Sequence, residues 1–327
     1  MIDLRRVGVL TSGGDAPGMN ACVRAIARTL IVDEVEVVGI RRGYSGLIDG
    51  DYVEMDGQSV SNIVQKGGTI LKCARSERFL SADGRAAAAQ ALARASIDAL
   101  IVVGGDGTLA GARLLSQEQA VVVVGCPATI DNDLFGTDET IGYDTALNTA
   151  IENIDRIRDT ADAHDRVFLV EVMGADAGFI ALNCAICGGA ELVLLPEFNT
   201  DIDHIKQRIH SLMVAQARSS IVVVAEGEGR GGATAIAEAL EADSAFEHID
   251  LRVCILGHTQ RGGAPSARDR VIASRIGAGA VKALMDGLTE VMVGIVCNEI
   301  RYTPLSNVVG NRKSINYELL KLAQMLS

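Results

Sequence analysis

Two short runs of glycine and acid hold most of the chemistry this sequence can do. Gly104-Gly-Asp-Gly-Thr108 follows an apolar run and opens a stretch of helical spacing. Its small residues let phosphate oxygens approach the main chain, while Asp106 would repel a phosphate unless a cation stood between them. Mg2+ suits that place, because it takes a carboxylate, keeps most of its waters and bridges phosphate oxygens. The plainer reading is a turn in which Asp106 caps the helix that follows. The second run, Cys126-Pro-Ala-Thr-Ile-Asp-Asn-Asp133, also follows an apolar run. Asp131 and Asp133 are two apart, which in extended backbone puts them on one face, where one accepts a hydroxyl proton and the other organises its surroundings. An Asx-rich turn is the alternative.

Thr11-Ser-Gly-Gly-Asp-Ala-Pro-Gly18 is a third strand-to-helix turn. Its amides and the helix start can face an anion, or its glycines serve only a tight turn. Arg75, Arg166, Arg252 and Arg261 lie in or beside strand ends and glycine turns, and a guanidinium fork matches a phosphate. His258, within Gly257-His-Thr-Gln-Arg-Gly-Gly263, is a further phosphate ligand or a structural histidine. There is no GxxxxGK[ST] loop. A GxGxxG at Gly227 to Gly232 is flanked by Glu226 and Glu228, whose charge disfavours a pyrophosphate.

These turns need a scaffold, and the sequence supplies one. Val7 to Leu10, Val35 to Ile40, Ala99 to Val103, Val121 to Gly125, Val167 to Val172, Ile221 to Ala225, Val253 to Leu256 and Val291 to Val296 read as strands. Helical spacing fills the gaps at Asn20 to Leu30, Ala87 to Ala95, Thr108 to Leu115, Asp144 to Arg158, Ile202 to Ala215 and Ala267 to Met285. Apolar runs alternating with helices predict an α/β fold with parallel sheets. A chain of 327 residues exceeds the usual span of one hydrophobic core, so two lobes are expected. A formal charge of −12 argues against a nucleic-acid partner, which needs clustered cations. No apolar run reaches the ~20 residues of a membrane span, and no secretory leader is evident, so a cytoplasmic location is expected. Seven scattered cysteines do not form a disulfide framework, and Cys184 and Cys187 are expected as two core residues one helical turn apart.

Taken together the segments resemble the bacterial-type ATP-dependent 6-phosphofructokinase family from Val7 to about Glu299. The pieces are Leu10-Thr-Ser-Gly-Gly-Asp-Ala-Pro-Gly-Met-Asn20, Gly67-Gly-Thr69, Gly104-Gly-Asp-Gly107, Thr129-Ile-Asp-Asn-Asp133, Glu171-Val-Met-Gly174 and Leu256-Gly-His-Thr-Gln-Arg-Gly-Gly263, in the family's order. The resemblance implies two Rossmann-like lobes, residues 1–138 plus 251–303 binding ATP and residues 139–250 plus 304–327 binding fructose 6-phosphate. It implies transfer of the ATP γ-phosphoryl group to the sugar's 1-hydroxyl, a step of glycolysis. Asp131 matches the general base and Asp106 the Mg2+ ligand, with Arg75, Thr129 and Asp133 beside the reacting groups. Gly14, Tyr44, Arg75, Ser76, Gly105, Gly107, Thr108 and Gly111 match the nucleotide site. Thr129, Ile130, Met173, Gly174, Ala175, Glu226, His258, Gln260 and Arg261 match the sugar-phosphate site. Arg166 and Arg252 match residues that reach over from a neighbouring subunit, which implies a homotetramer with shared sites.

Some positions depart from the pattern. Ala175 stands where the family often has arginine, and the stretch from Ser76 to Leu80 is altered on the adenine side. At the bacterial effector pocket Arg24, Arg28 and Arg158 remain, Gly57 and Gln216 replace basic residues, and Arg218 lies near the place of a lysine, which weakens the expectation of control by ADP or phosphoenolpyruvate. Pyrophosphate-using relatives carry Asp at the place of Gly107 and Lys at that of Ala128, so the residues present favour ATP over a pyrophosphate or mixed donor. NAD or diacylglycerol kinases share Gly-Gly-Asp-Gly-Thr but give no account of Thr129 to Asp133. A non-catalytic sugar-phosphate or nucleotide sensor would not need both Asp106 and Asp131.

Overall fold

The computed structural model describes residues 4–164, 166–198, 201–214 and 220–326, with backbone only at 213 and 214. Gln216 and Arg218 lie outside the described residues, as does Ala215, the expected end of one helix. From the N-terminus the chain forms β1 (Arg6–Thr11), α1 (Met19–Val32), β2 (Glu36–Ile40), α2 (Gly43–Asp49), β3 (Tyr52–Met55), α3 (Ala82–Arg94), β4 (Ala99–Gly104), α4 (Asp106–Gln119) and β5 (Val122–Pro127). It continues through α5 (Tyr143–His164), β6 (Val167–Val172), α6 (Phe179–Cys187), β7 (Leu192–Leu194), α7 (Ile202–Val214), β8 (Ser220–Ala225), α8 (Gly232–Glu241) and β9 (Leu251–Ile255). It ends with α9 (Ala267–Met285), β10 (Val291–Val296), β11 (Glu299–Pro304), α10 (Leu305–Gly310) and α11 (Tyr317–Leu326). Among the described residues no helix is long and apolar enough to cross a membrane.

Two compact units result. The first takes the described residues up to Ile130, then Leu134–Thr145 and Arg261–Lys313. Its sheet runs β11-β10-β5-β4-β1-β2-β3, parallel except where β3 and β11 pair antiparallel at the edges. The inner strands are continuous apolar runs because helices cover both faces. Val9, Leu10, Leu100, Ile101, Val102 and Val124 are fully buried. The second unit takes Asp131–Asp133, Ala146–Gln260 and the described residues from Ser314. Its sheet, β7-β8-β6-β9, is parallel throughout, around a core that includes Leu169, Val222, Val224, Ile236 and Leu240.

The units divide the chain differently from the sequence expectation. β9 hydrogen-bonds along β6, Val167 to Leu251 through Glu171 to Ile255, so residues 251–260 go with the second unit. β11 and α10 extend the first unit to Lys313, past the expected end at residue 303, because β11 pairs along β10 to Pro304. The cysteine expectation also changes. Cys184 is buried and Cys187, the last residue of α6, is exposed where the helix stops.

Candidate active site

In the first unit the strand order reverses between β1 and β4, since β1 connects to β2 on one side and β4 lies on the other. In open α/β sheets a ligand binds outside the strand ends at such a switch point. Both glycine turns are found there. Thr11 is paired with Val103, and Ser12 N donates to Val103 O at 3.0 Å. The turns touch so closely that a Cβ on Gly104 would lie 2.5 Å from Ser12 O. The third turn leaves β5 next door, where Ala128 N donates to Gly104 O at 2.9 Å and a Cβ on Gly105 would lie 3.5 Å from Thr129 Cβ. Three segments distant in sequence thus become one ledge of backbone and small side chains.

Asp106 is the first residue of α4 and exposed, with exposed Gly107 beside it, and a Cβ at Gly107 would meet nothing within 4 Å. Asp106 makes no cap with its own helix, as Gly105 holds the cap position without a side-chain bond. The Asp106 side chain is therefore exposed at the start of α4, beside the open space at Gly107. Among the described residues no cluster of three His, Cys, Asp or Glu is present. An all-protein cage for a metal is thus absent among them, while an exposed carboxylate with open space beside it fits Mg2+, which retains its waters. Thr108 is buried, its hydroxyl 3.3 Å from the place of a Cβ on Gly13.

Arg261 comes to the same edge. Its Nη1 donates to Asp15 O at 3.3 Å and lies 2.4 Å from where a Cβ on Gly14 would sit, so Gly14 leaves room for the guanidinium. Thr11 Oγ1 donates to Lys72 O at 3.0 Å, which ties the end of β1 to the segment carrying Arg75. Arg75 is exposed; the Ser76 hydroxyl next to it is buried with no hydrogen-bond partner.

Tyr44 and Gly111 are together, with Tyr44 Cε2 3.1 Å from the place of a Gly111 Cβ. Tyr44 is not open, however. Its ring stacks on Phe79 at 3.8 Å and 7°, its hydroxyl donates to Thr108 O at 2.6 Å, and burial pushes its phenol well up. Phe79 is a contact the sequence did not disclose, an aromatic in a polar stretch with no periodicity to mark it.

In the second unit the ends of β6, β8 and β9 gather the expected sugar-side residues. Met173 N donates to Gln260 Oε1 at 2.9 Å; Gly174 N and Ala175 N donate to Glu226 Oε1 at 3.2 and 2.7 Å. Gln260 is fully buried and its Nε2 has no partner. His258 is exposed on the short turn Gly257–Arg261. Asp131 and Asp133 are half-buried on either side of Asn132, whose φ of 55° breaks the chain direction. The segment is bent, so the alternation that put both aspartates on one face does not apply.

Arg166 and Arg252 lie elsewhere. Both grip Asp250, Arg166 Nε at 2.6 Å and Arg252 Nη2 at 2.7 Å, and the Arg166 guanidinium holds that carboxyl below its usual range. They stand at the starts of β6 and β9, whereas Met173 and Gln260 follow the ends of those strands. Six residues of strand separate the groups by about 20 Å.

Comparisons with known proteins agree with the motifs. The sequence pattern of the family described as phosphofructokinase matches residues 6–284. The chain is 52% identical over 326 residues to ATP-dependent 6-phosphofructokinase 1 of Thermus thermophilus, spanning 99% of this chain and 100% of that one. It is 51% identical over 321 residues to ATP-dependent 6-phosphofructokinase 2 of Bacteroides thetaiotaomicron, 98% of each chain. Among solved structures, phosphofructokinase from Saccharomyces cerevisiae aligns with TM-score 0.85 and 35% identity over 94% of this chain and 45% of its own. A pyrophosphate-dependent phosphofructokinase from Marinobacter aquaeolei shares the fold, with TM-score 0.86 and 21% identity over 96% of this chain and 86% of its own.

Proposed function

Because the chain belongs to the phosphofructokinase family, we propose that it transfers the γ-phosphoryl group of ATP to the 1-hydroxyl of fructose 6-phosphate, giving fructose 1,6-bisphosphate and ADP. The observation that carries this reading is the ledge at the switch point, where the turns after β1, β4 and β5 lie side by side. A triphosphate needs main-chain donors and small residues along its length, and phosphoryl transfer needs mostly positioning and charge neutralisation.

Asp131 takes the proton of the sugar's 1-hydroxyl as its oxygen bonds to the γ-phosphorus, and the bond from that phosphorus to the bridging oxygen breaks to release ADP. Asp106 would hold Mg2+, which when bound draws charge off the β- and γ-phosphate oxygens. Arg75 balances charge on the moving group. Gly14, Gly105, Gly107, Thr108 and Gly111 follow the nucleotide, with Ser76 on its base side and Tyr44, buried beneath Phe79, supporting Thr108 and Gly111. Met173, Gly174, Glu226, His258, Gln260 and Arg261 hold the sugar phosphate, and Gln260 Nε2, buried and unpaired, supplies a donor that a bound oxygen would satisfy. The position of Arg166 and Arg252 at the far strand ends supports their serving the site of a neighbouring subunit in a homotetramer.

The test is a coupled assay of the purified protein with fructose 6-phosphate, Mg2+ and either ATP or pyrophosphate at equal concentration. ADP-linked turnover far above the pyrophosphate rate is expected. Turnover with pyrophosphate alone would overturn the donor assignment, and turnover with neither would overturn the reaction.

A further inference from the structure

Asp269 is a buried carboxylate that the reaction above leaves without a task. It sits in the first turn of α9 and is fully buried. The sequence Ser266-Ala-Arg-Asp269 reads as a capping box, in which the acid would return to the amide of Ser266. Half of that box forms: Asp269 N donates to Ser266 Oγ at 3.1 Å. The other half does not, because Ser266 N donates to Thr145 Oγ1 at 2.9 Å instead. The Asp269 carboxylate turns to the start of α5, accepting from Gly142 N at 2.8 Å, Thr145 N at 2.8 Å and Thr145 Oγ1 at 2.5 Å.

A carboxylate carried by the first turn of α9 therefore serves the start of α5, and the start of α1 closes against it. Gly18 caps α1 with φ 111°, and a Cβ there would lie 2.7 Å from Ile141 Cγ2 and 3.7 Å from Asp269 Cβ. Gly142 has φ 103°, and a Cβ there would lie 2.6 Å from Ala16 Cβ. The end of the glycine turn, residues 16 to 18, is thus pressed onto residues 141 and 142 with no room for a methyl group. Ile141 and its neighbour Thr140 brace the turn after β5: Ile141 N donates to Pro127 O at 3.0 Å, Ala128 bridges to Ile141, and Thr140 Oγ1 donates to Thr129 O at 2.6 Å. Asp131 follows two residues later in the chain.

We propose that Asp269 is a positioning residue for phosphoryl transfer, a buried anion that locks the starts of α5 and α9 together and thereby fixes the Gly18 turn against the Thr129 segment. The proposal rests on the kinase reading above. The positive ends of the helix dipoles and three donors suit a carboxylate at this point. An amide of the same shape fails, because its NH2 end would confront N–H donors. Burial pushes the Asp269 carboxyl up to about 6 against the pull of Thr145 and Gly142, which leaves it charged at neutral pH.

The experiment compares wild type, Asp269→Asn, Thr145→Val and Thr145→Ser in the coupled assay, with the folded fraction of each measured by circular dichroism below its melting point. For Asp269→Asn we expect kcat per folded chain to fall by about 10- to 100-fold, with KM for ATP and fructose 6-phosphate within about threefold of wild type. Should Asp269→Asn not fold, Thr145→Val removes the hydroxyl that donates to Asp269 and accepts from Ser266 N while both backbone donors to the carboxylate stay; about a threefold to tenfold loss of kcat is expected, restored in Thr145→Ser. A lower melting temperature with unchanged kcat per folded chain in both Asp269→Asn and Thr145→Val, or in Thr145→Val alone where the other does not fold, makes Asp269 a stabilising residue only and overturns the proposal. Absence of turnover in the wild type instead overturns the kinase reading, and this proposal with it.

Discussion

At the residue scale, the two aspartates differ in what their surroundings permit. Asp106 is exposed beside an open space, while Asp131 is half-buried in a bent segment next to buried Asn132. A carboxylate that waits for a hydroxyl proton needs fixed placement, and one that holds a hydrated cation needs access. Replacing Asp131 with Ser is expected to lower kcat by roughly 10² to 10⁴ with a much smaller change in KM, measured by steady-state kinetics. A near-normal kcat would remove Asp131 from the role of base. Gly107 offers a cleaner probe of donor choice. A Cβ there meets nothing, so Gly107→Asp adds charge without a packing conflict. One like charge about 6 Å from a phosphate in a partly hydrated site costs about 1 to 2 kcal/mol. The KM for ATP should therefore rise about tenfold while the melting temperature holds, and an unchanged KM would mean that the triphosphate runs elsewhere.

At the element scale, helix starts and strand ends hold the chemistry, and this explains which parts could be read in advance. β1, β4, β5, β8 and β10 declare themselves because strands covered on both faces are unbroken apolar runs. β3 and β11 are edge strands interrupted by charged residues, and β7 is a run of only three residues, Leu192–Leu194, so none of the three declares itself in the sequence. α6 shows no amphipathic period for the opposite reason, and only its last turn, Cys184 to Cys187, is expected from the sequence: Phe179 to Leu182, Cys184 and Ala185 are all buried, which erases the polar face of a helix. α2 has seven residues with two glycines and shows no period. The glycine turns and Asp106 were legible because local sequence makes them, whereas Phe79 over Tyr44 and the bend at Asn132 are made by tertiary packing. Asp269 shows the same limit, since Ser266 and Asp269 announce a helix start but not that the acid serves a different helix. That cross-link has a pH signature. A carboxyl whose folded value, about 6, exceeds the ordinary one near 4 binds its proton more tightly when folded. Its contribution to stability is full below the unfolded value and lost as pH rises through 6. Between pH 7 and 5 the wild type should therefore gain about 1 kcal/mol over Asp269→Asn in denaturant unfolding. Parallel pH curves for the two proteins would contradict the raised value.

At the scale of the whole molecule, the arginines pose the question that one chain cannot answer alone. Arg166 and Arg252 share Asp250, so two guanidiniums and one carboxylate leave a net positive charge at the start of β6 and β9. Within a chain that charge is a strand length away from Met173 and Gln260, beyond the reach of any side chain. A neighbouring copy in a closed symmetric oligomer can bring it to the sugar phosphate, and the same operation returns the favour. Arg252→Ala should then raise KM for fructose 6-phosphate well above any change for ATP, as loss of a charged phosphate contact removes about 1.5 to 3 kcal/mol. Shared sites give a sharper consequence. Asp131→Ser chains keep their arginine, and Arg252→Ala chains keep their base. When the two are unfolded and refolded together in equal amounts, a site works only if its base comes from one kind and its arginine from the other. Random mixing meets both conditions in about a quarter of sites. Assayed at a fructose 6-phosphate concentration too low for Arg252→Ala alone, the mixture should recover roughly that fraction of wild-type activity, whereas arginines acting within their own chain would leave it no better than its parents.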